Sequence, residues 1–150
     1  MKVTVVGGGS IYTPEVVNGF LERSKRLPLK ELWLMDIDGS RLEIVGGFVQ
    51  RLVQKAEEPF RIITSDDLKE SIAGADIVIT QLRVGKMQTQ REDEYMGMRH
   101  GLIGQETTGI GGMSKALRTI PMILEICDLI CEHVTGASLP SPYHSTIIRW

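Results

Sequence analysis

Apolar, largely β-branched runs alternate with amphipathic stretches from residue 3 to residue 80, and this alternation predicts an α/β protein built on a doubly wound parallel sheet. Two further features agree with it. A turn of three consecutive glycines joins the first apolar run to the first helix, and an acidic residue ends the second run. A chain of 150 residues is enough for one domain that buries roughly two-thirds of its unfolded surface.

Val3 to Val6 read as a short buried strand. Gly7, Gly8, Gly9, Ser10, Ile11 and Tyr12 follow, and Thr13-Pro14-Glu15 then opens a helix. Thr13 is expected to cap it, and Pro14 suits a first turn where its missing N–H costs nothing. Strand, glycine turn and helix start in this order form a phosphate cradle. The glycines let the backbone come close to an anion, while free N–H groups and the helix dipole attract its charge. The spacing Gly7-x-Gly9-x-x-Tyr12 lacks the third glycine of the dinucleotide fingerprint, and an ordinary tight turn remains the alternative.

Val16, Val17, Phe20 and Leu21 form the stripe of the first helix, and Leu27 to Lys30 a loop. Leu32 to Met35 are the second strand, ending at Asp36-Ile37-Asp38-Gly39. A carboxylate at this tip accepts hydrogen bonds from an adenosine ribose and repels a 2′-phosphate, so Asp36 favours NAD over NADP. It lies 27 residues past Gly9, a long interval that reflects a long first helix and loop. A turn or capping carboxylate is the competing reading for Asp36, and more so for Asp38. Ser40-x-x-Glu43 is a capping box, and Val45, Phe48, Val49, Leu52 and Val53 share one face of the helix behind it. Phe60 to Thr64 are a third strand, Asp66 to Ile72 a short helix closed by Gly74, and Asp76 to Thr80 a fourth strand. The expected spatial order of these strands is 3-2-1-4.

Past the fourth strand, Gln81-Leu82-Arg83-Val84-Gly85 lies beside the switch point where such sheets bind ligands. Gln88 to Arg99 read as a highly charged helix, in which the planar fork of Arg91 suits a phosphate. For Arg83 and Arg91 a solvated charge, or a pair with Glu92 or Glu94, is the simpler alternative. Gly101 to Gly112 hold five glycines in twelve residues around Gln105-Glu106-Thr107-Thr108. Such a stretch suits a loop whose backbone approaches a ligand, with Glu106 placed to orient a base or back a metal. Ser114 to Cys131 read as a helix with Leu117, Ile120, Leu124, Cys127 and Ile130 inward, and Pro121 is expected to kink or restart it. Cys127 and Cys131 fit reduced core residues better than a disulfide or half a metal site.

Seventeen basic against nineteen acidic residues give no electrostatic case for nucleic acid or an anionic membrane. No apolar run approaches the roughly 20 residues of a membrane helix, and the run at Val3 to Val6 is too short for a signal peptide. The expectation is a soluble cytoplasmic protein.

Four stretches together carry a resemblance: G-G-G-S-x-Y-T-P at 7–14, Q-L-R-V-G at 81–85, G-L-I-G-Q-E-T-T-G-I-G-G at 101–112 and A-L-R-T-I-P at 116–121. They resemble glycoside hydrolase family 4, and Thr107-Thr108 after Gln105-Glu106 resembles its 6-phospho-β-glucosidases. The resemblance runs to about residue 133. It implies a Rossmann-like NAD-binding domain over 1–133, with Gly7 to Tyr12, Asp36 and Arg83 at the cofactor. It also implies Arg91 at the substrate, and Glu106 raising the basicity of a catalytic tyrosine outside this chain.

The implied reaction hydrolyses 6-phospho-β-glucosides by redox-assisted elimination rather than by two carboxylates. NAD takes hydride from carbon 3, a divalent metal such as manganese polarises the ketone, and the tyrosine removes the carbon 2 proton. The aglycone leaves, water adds and the hydride returns. The implied metal ligands also lie outside this chain, and the implied full-length assembly is a homo-oligomer. Residues 134–150 depart from the family pattern and are expected to be an irregular tail, with Ile147 and Ile148 at most a stub of strand. Tyr143 and His144 do not match the catalytic residues. The expectation is therefore a chain that lacks the family's catalytic domain and is inactive alone. Two rivals remain at this point, an NAD-dependent 2-hydroxy acid dehydrogenase and a non-catalytic nucleotide-binding module.

Overall fold

Five parallel strands in the order β3-β2-β1-β4-β5 form the sheet, so the expected order of the first four is observed. The structure is a computed structural model that describes residues 1–105, 108–134 and 145–148. It divides into two units, Met1–Gln81 with Ile130–Trp150, and Leu82–Leu129.

The first unit holds β1 (Lys2–Val6), α1 (Thr13–Glu22), β2 (Glu31–Met35), α2 (Gly39–Lys55), β3 (Arg61–Ser65), α3 (Leu68–Ile72), β4 (Ile77–Thr80) and β5 (Ser145–Ile148). Val3 and Val5 of β1 lie opposite Leu32 and Leu34 of β2. These four side chains are fully buried in one core with Val17 of α1 and Leu42, Val49 and Val53 of α2. At about 25 cal/mol per Å² of apolar surface, this face drives the docking of both helices. Gly46 lets α2 approach β3, since a Cβ there would stand 2.7 Å from Thr64 Cγ2. The expected α2 stripe is shifted: Phe48 is exposed, while Leu42 and Gly46 join Val49 and Val53. Thr4, on the alternate face of β1, donates to the Ser71 carbonyl of α3 at 2.6 Å.

Two helix starts differ from the sequence reading. Thr13 does not cap α1; Tyr12 is the N-cap, without a side-chain bond, and Thr13 is fully buried with its hydroxyl engaged elsewhere. The cap of α2 is Asp38, which accepts from the Arg41 N–H at 3.3 Å, rather than Ser40 of the expected box. An Asp two residues earlier offers the same acceptor to the first turn. Asp67 caps α3 in the same way, at 3.0 Å from the Glu70 N–H.

Where an irregular tail with at most a stub of strand is expected, residues 145–148 form a parallel strand on β4, with Ile147 opposite Ile79. Thr146, Ile147 and Ile148 are β-branched and suit a pleated surface, and the edge of β4 offers unpaired backbone groups. Tyr143 and His144 lie outside the described residues.

The second unit holds α4 (Lys86–Arg99) and the larger part of α5 (Gly109–Val134). The turn into α4 is made at Gly85, with φ of +88°. The glycines at 109–112 are not loop, because α5 starts at Gly109 and runs through Pro121 for 26 residues without a restart. Its inward face also differs from expectation. Leu117, Ile120 and Leu124 are 69%, 46% and 58% exposed, whereas Thr119 and Ile126 are buried. Cys127 is half-buried and Cys131 exposed, both as free thiols.

Candidate functional site

The glycine turn leaves β1 at its carboxyl end, where the strand order reverses. Gly7 takes φ of +95°, and the Gly7 and Gly8 N–H groups both donate to the Met35 carbonyl at 2.8 Å. The Gly9 N–H donates to Asp36 Oδ2 at 2.8 Å, and the Ser10 N–H to the Gly7 carbonyl at 3.1 Å. The amides expected to be free at Gly7 to Ser10 are thus bonded within the protein. Tyr12 N–H reaches Ser10 Oγ at 3.3 Å. From Gly7 to Tyr12, Ile11 alone has an amide with no acceptor among the described residues, and it is 75% exposed. The anion-attracting end of this turn therefore falls at Ser10 and Ile11, just ahead of the Tyr12 N-cap of α1.

Internal packing accounts for the glycines. A Cβ at Gly7 would stand 2.6 Å from the Gln81 carbonyl, one at Gly8 2.8 Å from Leu34 Cβ, and one at Gly9 2.8 Å from Asp36 Oδ2. Asp36 is half-buried at the tip of β2, and its other oxygen accepts from the Asp38 N–H at 2.9 Å. The carboxylate thus serves as the turn's own acceptor. An ionised carboxylate has about four acceptor sites, so capacity for further donors remains.

Gln81, not singled out as a site residue in the sequence, meets the turn from the end of β4. Its side-chain amide donates to the Gly7 carbonyl at 3.1 Å and to Thr13 Oγ1 at 2.7 Å. Thr13 in turn donates to the Gly8 carbonyl at 2.8 Å. The sequence places Gln81 directly after an apolar strand, beside the switch point and within the Q-L-R-V-G stretch, but does not name its partners.

In the second unit Arg83 is exposed and lines a shallow pocket with Leu82, Val84, Gln90, Arg118 and Thr119. Arg91 is exposed on α4, with its guanidinium 5.3 Å from the Tyr95 ring centroid and its Nη2 3.5 Å from the Tyr95 hydroxyl. That hydroxyl raises the Arg91 guanidinium above its ordinary value. Glu92 pairs with Arg99 at 2.5 Å, and Glu94 accepts from Gln90 at 3.3 Å. Glu106 and Thr107 lie outside the described residues.

The glycine-rich stretch is expected to approach a ligand; in the structure Gly104 and Gly111 approach the backbone of α4. A Cβ at Gly104 would collide with the Glu94 carbonyl, and one at Gly111 with the Asp93 and Gln105 carbonyls. Arg118 of α5 secures the same junction, donating through both Nη atoms to Asp93, which is 2% exposed. The Arg118 hydrogen bonds hold the Asp93 carboxyl below its usual range. Among the described residues no group of three or more His, Cys, Asp or Glu could hold a metal ion. Among them, too, no helix is long and apolar enough to cross a membrane.

A parallel sheet that reverses order at β1, with a glycine turn on that strand and a carboxylate at the tip of β2, defines a Rossmann-like α/β protein. A family model described as Family 4 glycosyl hydrolase matches residues 2–139, and the chain belongs to that family. It is 49% identical over 141 residues to a probable 6-phospho-beta-glucosidase of Bacillus subtilis, covering 93% of this chain and 32% of the relative. A 6-phospho-alpha-glucosidase of Lacticaseibacillus paracasei is 37% identical over 136 residues, covering 91% of this chain and 31% of the relative. The solved 6-phospho-beta glucosidase of Thermotoga maritima with manganese, NAD+ and glucose-6-phosphate superposes with a TM-score of 0.85 at 40% identity, covering 89% of this chain and 33% of that one. The chain spans about a third of the length of these relatives. Membership in a glycosyl hydrolase family does not favour the dehydrogenase alternative.

Proposed function

We propose that this chain is the NAD-binding portion of a 6-phospho-β-glucosidase. The observation that carries the reading is the glycine turn of β1 clamped to Asp36 at the tip of β2, in a member of family 4. In this reading Gly7, Gly8 and Gly9 keep the turn tight. The Ser10 hydroxyl and the Ile11 N–H, at the positive end of α1, receive the cofactor pyrophosphate beside Tyr12. Asp36 receives the adenosine ribose, and its charge disfavours a 2′-phosphate. Bound NAD supplies a hydride acceptor for redox-assisted cleavage of the glycosidic bond.

Arg83 and Arg91 are exposed cations, and we assign Arg83 to the cofactor and Arg91 to the phosphorylated substrate. Glu106 is assigned to raising the basicity of a tyrosine base. The described residues do not fit a manganese site, and no step is assigned to them through the metal. The reading makes the protein a cytoplasmic enzyme of carbohydrate metabolism that acts on a small molecule and forms a homo-oligomer at the length of its relatives.

A chimera tests this. Residues 1–133 replace the matching first third of the Bacillus subtilis relative. The product is assayed for p-nitrophenol release from the p-nitrophenyl 6-phospho-β- and α-glucosides. The expected result is release from the β-anomer only when NAD and manganese are both present. Release from the α-anomer alone, or a folded chimera that binds NAD and cleaves neither, contradicts the reading.

A further inference from the structure

We infer that Gln81 is a positioning residue for the cofactor, acting through Thr13 on the peptide that joins the glycine turn to Asp36. The inference rests on the NAD reading above and deepens it. Gln81 Nε2 has two N–H groups, and both are used, one on the Gly7 carbonyl at 3.1 Å and one on Thr13 Oγ1 at 2.7 Å. Having accepted that bond, the Thr13 hydroxyl turns its own proton to the Gly8 carbonyl at 2.8 Å. The donor order is thereby set, because a side-chain amide nitrogen cannot accept. Thr13 is fully buried, so its bond to the Gly8 carbonyl is shielded from solvent, while Gln81 reaches it from a half-buried position.

The consequence follows from peptide planarity. In a trans peptide the C=O and the next N–H point in opposite directions. Drawing the Gly8 carbonyl toward Thr13 therefore aims the Gly9 N–H the other way, where it meets Asp36 Oδ2 at 2.8 Å. One chain of bonds runs from Gln81 through Thr13 and the Gly8–Gly9 peptide to the carboxylate assigned to the ribose. The sheet has no need of it: β1 and β4 pair through their backbones, with Val6 opposite Thr80, and the Gln81 N–H continues this pairing to the Val6 carbonyl at 2.9 Å. The side-chain amide of Gln81 donates instead to the glycine turn and to Thr13 at the start of α1.

The test uses the 150-residue chain and calorimetric titration with NAD and NADP. Gln81→Leu and Thr13→Val remove the bonds at near-constant volume, and Thr13→Ser keeps the hydroxyl. The expected result is about a tenfold loss of NAD affinity in each of the first two. Their double variant is expected to lose no more than about twofold beyond either single one, because the two residues act in one chain. Thr13→Ser is expected to stay close to the unaltered protein.

The preference for NAD over NADP should also fall, since a released Asp36 no longer faces the ribose; a merely structural defect would weaken both cofactors equally. Equal losses for NAD and NADP, or unchanged NAD affinity in folded Gln81→Leu, overturn the inference. If Gln81→Leu does not fold, Thr13→Val against Thr13→Ser reads the same bonds, and equal NAD affinity of those two overturns it. Failure of the unaltered chain to bind NAD sinks the underlying reading, and this inference with it.

Discussion

Asp93 and Asp36 are both carboxylates fixed by donors, but their surroundings give them different consequences. Asp93 is 2% exposed against the Arg118 guanidinium, whose side chain is 29% exposed. The Arg118 hydrogen bonds lower the Asp93 carboxyl below its ordinary value near 3.8. A depressed folded value means that the pair stabilises the fold fully above the unfolded value, and that this stability is lost as pH falls through the folded one. Asp93→Asn leaves Arg118 short of its counter-charge, at a cost of about 2–3 kcal/mol at pH 7, less than for a fully buried pair. Melting curves of the two proteins should therefore differ most at neutral pH and converge below about pH 4. A constant difference down to pH 2 would contradict the assignment. The position of Asp36 was legible in the sequence, because the tip of the second strand is a defined place in this topology. Gln81 was not, because its partners Gly7 and Thr13 lie 74 and 68 residues away.

At the level of elements, β1 to β4 were legible and α5 was only half so. Short β-branched runs bounded by turns leave little choice of element, whereas helical periodicity marks a stripe without saying which stripe a neighbour covers. Hence Leu117, Ile120 and Leu124, expected inward, are exposed, while Thr119 and Ile126 are buried. Pro121 marks the same gap between propensity and structure, since the helix passes through it. Without an N–H it cannot donate to the Leu117 carbonyl one turn earlier. Pro121 is exposed, so Pro121→Ala restores that bond without disturbing the core. The expected outcome is about 1–3 kcal/mol of added stability by denaturant melts, with the helical circular dichroism unchanged or increased. A loss of stability would mean that the ring is required for packing.

For the whole molecule, the alternation of strands and helices through residue 80 was enough to set a parallel sheet with β1 at its reversal point. Short-range pattern could not reveal that the turn's amides are spent on Met35, Asp36 and Gly7, since each bond but the last crosses from one strand to another. One arrangement is central to the proposed function, a glycine turn whose geometry and charge are completed by Asp36 and which binds NAD. The measurement that addresses it most directly is a calorimetric titration of the 150-residue chain and its Asp36→Ala variant with NAD and NADP. A charge-assisted bond contributes roughly 1.5–3 kcal/mol, so NAD should bind the unaltered chain in preference to NADP and lose about tenfold or more in the variant. NADP should lose less, because the repulsion of its 2′-phosphate is relieved with the carboxylate. No NAD binding by the folded chain, or equal losses for the two cofactors, would contradict the account.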